Sequence, residues 1–338
     1  NKRSLALDMS DELARETCRA LCERADVVIE NFAVGVLDRW GVGYDVVREA
    51  NPGVVYVAMS GMGSEGPWSH FVTYAPTIHA LAGLTYLTGV PDHDPIGIGV
   101  SHNDHIAGLH ATVATLAALE GRRRTGRGQR IDLSQFEVGV SLAGPALLDY
   151  SANERIARPG GNTLPYDVAA PHDCYPCAGD DRWVAIAVMN DAQWRALRSV
   201  MGEPSWASDA RYDEASGRVA DRATLDARVS EWTGRHETEA VQSLCQAAGV
   251  PAGVVQTGAD MVERDPQFAH LGFFTTTDSG ADEPPVPVDA LPLRFSATPV
   301  TQYRAPRALG ADNAAVLDEW IGMDEADVRA GEQSGAYR

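Results

Sequence analysis

The sequence predicts an α/β protein, a parallel sheet of alternating strands and helices followed by a smaller α+β unit. Three observations carry this prediction. Two β-branched runs, 25–30 and 54–59, are separated by helical spacing rather than by a hairpin turn. A helix over 106–119, apolar at Ile106, Leu109, Val113, Leu116 and Leu119, is bracketed by Asn103-Asp104 and Gly121. Between 151 and 175 the composition shifts to Gly, Pro, Asn and Asp, and a second set of strands and helices follows.

Taken in order, residues 11–24 carry apolar side chains at Leu13, Cys18, Leu21 and Cys22, which is helical spacing. The run 25–30 is a buried strand candidate. Residues 36–49 form two short helical pieces around Gly41-Val42-Gly43, and 54–59 is a second strand closed by Ser60-Gly61. After the helix at 106–119 come a strand over 130–133 and a helix over 136–150. The second unit opens with a strand at 182–189, then helices near 192–201, 222–233 and 237–248, then a strand at 252–256. Glu283-Pro284-Pro285-Val286-Pro287 reads as a second linker, and 313–321 as a C-terminal helix.

The chain has 338 residues, long enough for two domains and a sizeable core. Its formal charge of −19 disfavours nucleic acid and anionic membrane surfaces as partners. No apolar run approaches the roughly 18 residues of a membrane span. The N-terminal charges precede no signal-peptide core. Five cysteines are too few for a disulfide scaffold at this length, so reduced thiols and a cytoplasmic location are expected. The basic run from Gly121 to Arg130 is expected to be a loop, either solvated or in contact with a phosphate.

Asp104 is the first candidate for chemistry. Placed just before a helix it reads as an N-cap, yet a helix N-terminus also keeps a carboxylate ionised and available as a nucleophile. A dry pocket of small residues such as Gly99, Ser101 and Gly108 would make its attack on a thioester feasible. His102, His105 and His110 flank it without a zinc spacing and read as polar surface, so no metal is expected. Cys174-Tyr175-Pro176-Cys177 stands alone and reads as structural. No G-x-G-x-x-G, Walker A or G-x-S-x-G motif occurs. Asn31-Phe32, with Arg39-Trp40 beyond, follows the carboxyl end of the first strand, the edge where open α/β sheets bind ligands. Phe32 and Trp40 could stack on a base and Arg39 could reach a phosphate.

Several blocks resemble class III CoA-transferases, the CaiB/BaiF family. They are Asn1-Lys2-Arg3-Ser4 through Leu7-Asp8, Ala25 through Phe32, and Gly35-Val36-Leu37-Asp38-Arg39. Asn51-Pro52 through Ser60-Gly61-Met62-Gly63, Arg124-Thr125-Gly126-Arg127-Gly128-Gln129, Gly249-Val250-Pro251-Ala252-Gly253 and Asp265-Pro266 continue the likeness over nearly the whole chain.

The resemblance implies a Rossmann-like large domain over 1–165, a smaller inserted α+β domain over 166–283, and a segment over 284–338 returning to the large domain. It also implies an interlocked homodimer. The family carries its first strand and part of its CoA site ahead of the Asn1-Lys2-Arg3-Ser4 block. The chain is therefore expected to be a fragment, or one piece of a larger polypeptide or hetero-oligomer.

Within the resemblance Asp104 is the nucleophile, forming acyl-aspartyl anhydride and aspartyl-CoA thioester. Leu7, Asn31, Phe32, Arg39, Trp40 and Tyr74 line the site for coenzyme A, with Trp40 standing where methionine is common. An acyl-CoA donor and a carboxylic acid acceptor are the implied partners. The alternatives are a 2-methylacyl-CoA racemase of the same family, a non-catalytic acyl-CoA-binding subunit, and a metal-dependent hydrolase at His102, Asp104 and His105. Tyr74 stands where racemases place a histidine, and a phenol abstracts an α-proton poorly, which favours the transferase. The four-glycine loop of formyl-CoA transferases does not occur, so the acid pair is left open.

Overall fold

Val54 and the run Val55-Tyr56-Val57-Ala58 are all buried, and this unbroken apolar strand is the centre of a three-stranded parallel sheet. The computed structural model describes residues 1–277, 286–300 and 303–338. In chain order its first part holds α1 (Glu12–Arg24), β1 (Val27–Glu30), α2 (Val36–Arg39), α3 (Tyr44–Ala50) and β2 (Val55–Ala58). Then follow α4 (Ala75–Leu81), α5 (Leu84–Leu87), α6 (His102–Thr125), β3 (Gln129–Asp132), α7 (Gln135–Leu142) and α8 (Gly144–Asn153). The strands lie in the order β1-β2-β3, with Glu30 opposite Ala58 and Ala58 opposite Asp132 at their carboxyl ends.

Local chemistry explains the boundaries. Asp11 caps α1, its side chain accepting from the Ala14 N–H, and Ala25 leaves the helix in extended conformation to feed β1. One face of the sheet presents Val55 and Val57 to Ala107, Ala111 and Ala118 of α6. On the other face Tyr56 meets Tyr44 edge-on at 5.8 Å, and its hydroxyl donates to the Val42 carbonyl. Because α6 lies between β2 and β3 in the chain and both strands run the same way, its first turn lies at their carboxyl edge.

The second part holds β4 (His172–Pro176), β5 (Trp183–Ala187), α9 (Asp191–Val200), α10 (Ala215–Ala220), α11 (Arg222–Thr233), α12 (Thr238–Ala247), β6 (Ala252–Val254), α13 (Gly258–Glu263) and α14 (Pro266–Leu271). Its antiparallel sheet, ordered β4-β5-β6, packs Tyr175, Val184 and Ile186 against Trp194, Leu197, Leu225, Val229 and Val241. Buried Arg218 is satisfied by the carbonyls of Ala170 and Tyr212 and by Asp191. The last part holds the hairpin β7 (Phe274–Thr277) and β8 (Val286–Asp289), then α15 (Asn313–Ile321) and α16 (Glu325–Ser334). Leu317, Val328 and Tyr337 of this part form a cluster with Ala14 of α1. Contacts divide the chain into one unit of Asn1–Tyr86, Pro95–Ala157 and Gly272–Arg338, and another of Leu87–Asp94 and Arg158–Leu271.

Several expectations are corrected. The helix expected over 106–119 runs from His102 to Thr125, so Asp104 lies inside its first turn rather than before it. Gly121 through Thr125 is helical, not loop, because Gly126 in left-handed conformation ends the helix instead. The face of α6 that packs on the sheet is its alanine face, whereas Leu109, Val113 and Leu116 are exposed. The helix over 136–150 is two helices meeting at Ala143, where Pro145 stands in the first turn of the second. The glycine-rich stretch 151–175 already contains most of β4. Of the second linker, residues 283–285 lie outside the described residues, and Val286 and Pro287 belong to β8. Helices α4, α5, α10, α13, α14 and α16 and strands β7 and β8 have no counterpart in the sequence-based expectation.

Candidate functional site

The carboxyl ends of the three strands and the first turn of α6 meet in one place. Asn31 follows β1, Met59 and Ser60 follow β2, and Ser134 and Gln135 follow β3. Gln135 ties them together. Its Nε2 donates to Asn31 Oδ1 at 3.2 Å and to the Met59 carbonyl at 3.4 Å. Its own carbonyl accepts from Asn103 Nδ2 at 2.5 Å. Asn103 is wholly buried and sits directly before Asp104. Gly139 of α7 makes this insertion possible, because a Cβ there would stand 2.7 Å from Asn103 Oδ1.

Asp104 is the third residue of α6, at the positive end of the helix dipole. Its Oδ2 is buried and takes no hydrogen bond among the described residues. Gly99 and Ser101 are exposed, so they do not close the expected dry pocket. The inner oxygen is shielded and the rest of the side chain is half-buried. His105 and His110 turn back on their own helix, each Nδ1 meeting the carbonyl four residues earlier. Among the described residues no group of three His, Cys, Asp or Glu side chains is arranged to hold a metal ion.

The loop from Asn31 into α2 gathers four of the predicted ligand residues. Phe32 is half exposed and meets Trp40 edge-on at 5.3 Å. The Phe32 N–H donates to Glu30. Burial pushes the Glu30 carboxyl up, and that N–H partly offsets it. Gly35 starts α2 at φ +80, and a Cβ there would stand 3.4 Å from Arg39 Nη1. Arg39 is exposed, a cation at the sheet edge of an acidic chain. A cavity of about 430 Å³ opens beside this loop, lined by Glu30, Gly35, Asp38, Tyr44, Tyr56 and Arg130 among others.

Tyr74 is 76% exposed and starts α4, its backbone N–H taken by Thr77 Oγ1. Leu7 stands apart from the loop residues. It bridges to Tyr337 and packs with the cluster formed by α1 and the C-terminal helices. The basic run is split: Arg130 on β3 lines the cavity beside the ligand loop, whereas Arg122, Arg123 and Arg124 stand at the far end of α6. Arg122 pairs with Asp26, and Arg123 and Arg124 pair with Glu120. A helix of 24 residues separates them from Asp104 by roughly 30 Å.

Sequence reasoning missed His79 and Gln135. His79 is 3% exposed on α4, and its Nε2 accepts the backbone N–H of Asn103 at 3.1 Å. A lone histidine among Ile78, Ala80, Leu81 and Ala82 was the available signal; its partner lies 24 residues on.

A parallel α/β sheet thus carries, at its carboxyl edge, a helix-borne carboxylate whose inner oxygen has no partner among the described residues, linked through Asn103 and Gln135 to an aromatic and cationic loop. The family profile described as CoA-transferase family III matches residues 1–313, and the chain belongs to that family. It is 31% identical over 329 residues to a succinyl-CoA–D-citramalate CoA-transferase of Chloroflexus aurantiacus, covering 97% of this chain and 80% of that one. It is 33% identical over 324 residues to a succinyl-CoA:mesaconate CoA-transferase of Haloarcula hispanica, covering 94% and 79%. A CaiB/BaiF family protein from Brucella suis superposes with a TM-score of 0.85 at 33% identity, covering 94% of this chain and 82% of that one.

Proposed function

We propose that the protein moves coenzyme A from succinyl-CoA or a similar acyl-CoA to a dicarboxylic acid through a covalent intermediate on Asp104. The observation that carries this is the buried Oδ2 of Asp104 at the start of α6, which has no hydrogen-bond partner among the described residues. A carboxylate engaged in structure would have its acceptor sites filled. The names of the relatives support the choice of donor and the class of acceptor.

In the proposed cycle an Asp104 oxygen attacks the thioester carbonyl and the CoA thiolate leaves, giving a mixed anhydride. The thiolate then attacks the Asp104 carbonyl, releasing the donor acid and leaving an aspartyl-CoA thioester. The acceptor carboxylate displaces the thiolate to form a second anhydride. The thiolate finally attacks the acceptor's acyl carbon, and the Asp104 carboxylate is restored. The positive end of α6 favours the carboxylate at the start and end of the cycle. Leu7, Asn31, Phe32, Arg39, Trp40 and Tyr74 are proposed as the residues that hold CoA, with Arg39 on a phosphate and Phe32 and Trp40 against the base.

An interlocked homodimer and a cytoplasmic location belong to the same proposal. The exposed face of Leu109, Val113 and Leu116 on α6, 63%, 68% and 62% open, supports a covering subunit. Five free cysteines support a reducing compartment.

The test is incubation with succinyl-CoA and hydroxylamine, followed by peptide mass spectrometry. A hydroxamate on Asp104 is the expected result, and Asp104→Ala should abolish transfer while leaving CoA affinity in place. A chain that binds CoA yet is never modified at Asp104 would sink the proposal.

A further inference from the structure

We infer that His79 is a positioning residue for Asp104, holding the first turn of α6 through a neutral imidazole. The inference rests on Asp104 being the nucleophile. The N-cap of α6, Ser101, makes no side-chain cap. That role falls to His79, whose Nε2 accepts the N–H of Asn103 at 3.1 Å. An accepting Nε2 carries no proton, so the ring holds its proton at Nδ1. Both partners are withdrawn from water, His79 at 3% exposure and Asn103 at 0%.

The anchor matters because no hydrogen bond among the described residues reaches the Oδ2 of Asp104. Its carboxylate is therefore placed by the backbone of its turn. That backbone is clamped on two sides. His79 holds the Asn103 N–H, while the Asn103 side chain donates to the Gln135 carbonyl in the space left by Gly139. Gln135 carries the clamp on to Asn31, the first residue of the ligand loop. The residue next to the nucleophile and the loop proposed to bind CoA are thus joined in one hydrogen-bonded chain, with His79 at its far end. Replacing the acceptor by an apolar side chain leaves the Asn103 amide buried without a partner, and the first turn must shift to rehydrate it.

The decisive measurement is the rate at which Asp104 is trapped as hydroxamate with succinyl-CoA, in the full chain and in His79→Leu and His79→Gln. His79→Leu should slow trapping about 10- to 100-fold, the cost of a displacement near 1 Å. The dissociation constant for succinyl-CoA should change much less than the trapping rate, because the loop keeps its own contacts at Phe32, Trp40 and Glu30. His79→Gln, whose Oε1 can occupy the place of Nε2, should recover most of the rate. Wild-type trapping in His79→Leu overturns the inference, as does an equal loss in both variants when both are folded. If His79→Leu does not fold, nitrogen-15 spectra of the wild-type imidazole decide instead. An unprotonated Nε2 at neutral pH supports the inference, and a protonated one overturns it. Failure of the wild type to be trapped at Asp104 is a different result, since it removes the nucleophile before any variant is compared.

Discussion

Asp104 and Asp260 show two ways in which this chain keeps a carboxylate out of water. Asp104 has a buried oxygen with no partner among the described residues, and Asp260 is engaged by Thr257 and Arg182. The Thr257 N–H and hydroxyl and the Arg182 guanidinium hold the Asp260 carboxyl well below the usual carboxylate range. A depressed carboxyl stabilises the fold above its unfolded-state value, about 3.9, and that contribution is lost as pH falls through the folded value. Asp260→Asn should therefore lower stability at neutral pH and flatten the decline below about pH 4. Urea unfolding followed across pH 2 to 7 measures both. Asp226 runs the opposite way, because burial pushes its carboxyl up and protonation relieves it.

At the scale of elements, the seam among α4, α6 and α7 decides where the nucleophile stands. Gly139 lets its helices approach closely there, since a Cβ would meet Asn103 Oδ1 at 2.7 Å and Ala82 Cβ at 2.8 Å. Gly139→Ala is expected to cost about 1–3 kcal/mol of stability, as overpacking does. Thermal unfolding should show it as a lowered Tm. This seam was invisible in the sequence. Asn103-Asp104 reads as a helix start, but nothing within a few residues announces that the cap comes from α4. The boundaries of α11 and α15 were legible because each runs between a starting aspartate and a terminal glycine. The break at Ala143 was not, because an apolar pattern runs on across Gly144-Pro145.

For the whole molecule, the outward stripe of Leu109, Val113 and Leu116 is the feature that a single chain leaves unexplained. If a second copy covers it, Leu109→Glu should shift the protein from dimer to monomer, as read by light scattering after size exclusion. The apolar spacing that marked this helix was correct, yet of the residues that marked it Ile106 and Leu119 pack toward the sheet while Leu109, Val113 and Leu116 point away from it. Small alanines on the opposite face let α6 approach β2 closely, and hydrophobic periodicity alone does not say which side a neighbour will take. By itself, the sequence determined the alternation that makes a parallel sheet, the blocks that place the chain in CoA-transferase family III, and Asp104 as its candidate nucleophile. These are local, because propensity, turn chemistry and motif spacing are written within a few tens of residues. Only the tertiary structure decided that His79, Asn103, Gln135 and Asn31 form one hydrogen-bonded chain behind Asp104. Those residues are far apart in sequence and come together only once three parallel strands have brought their carboxyl ends to a common edge.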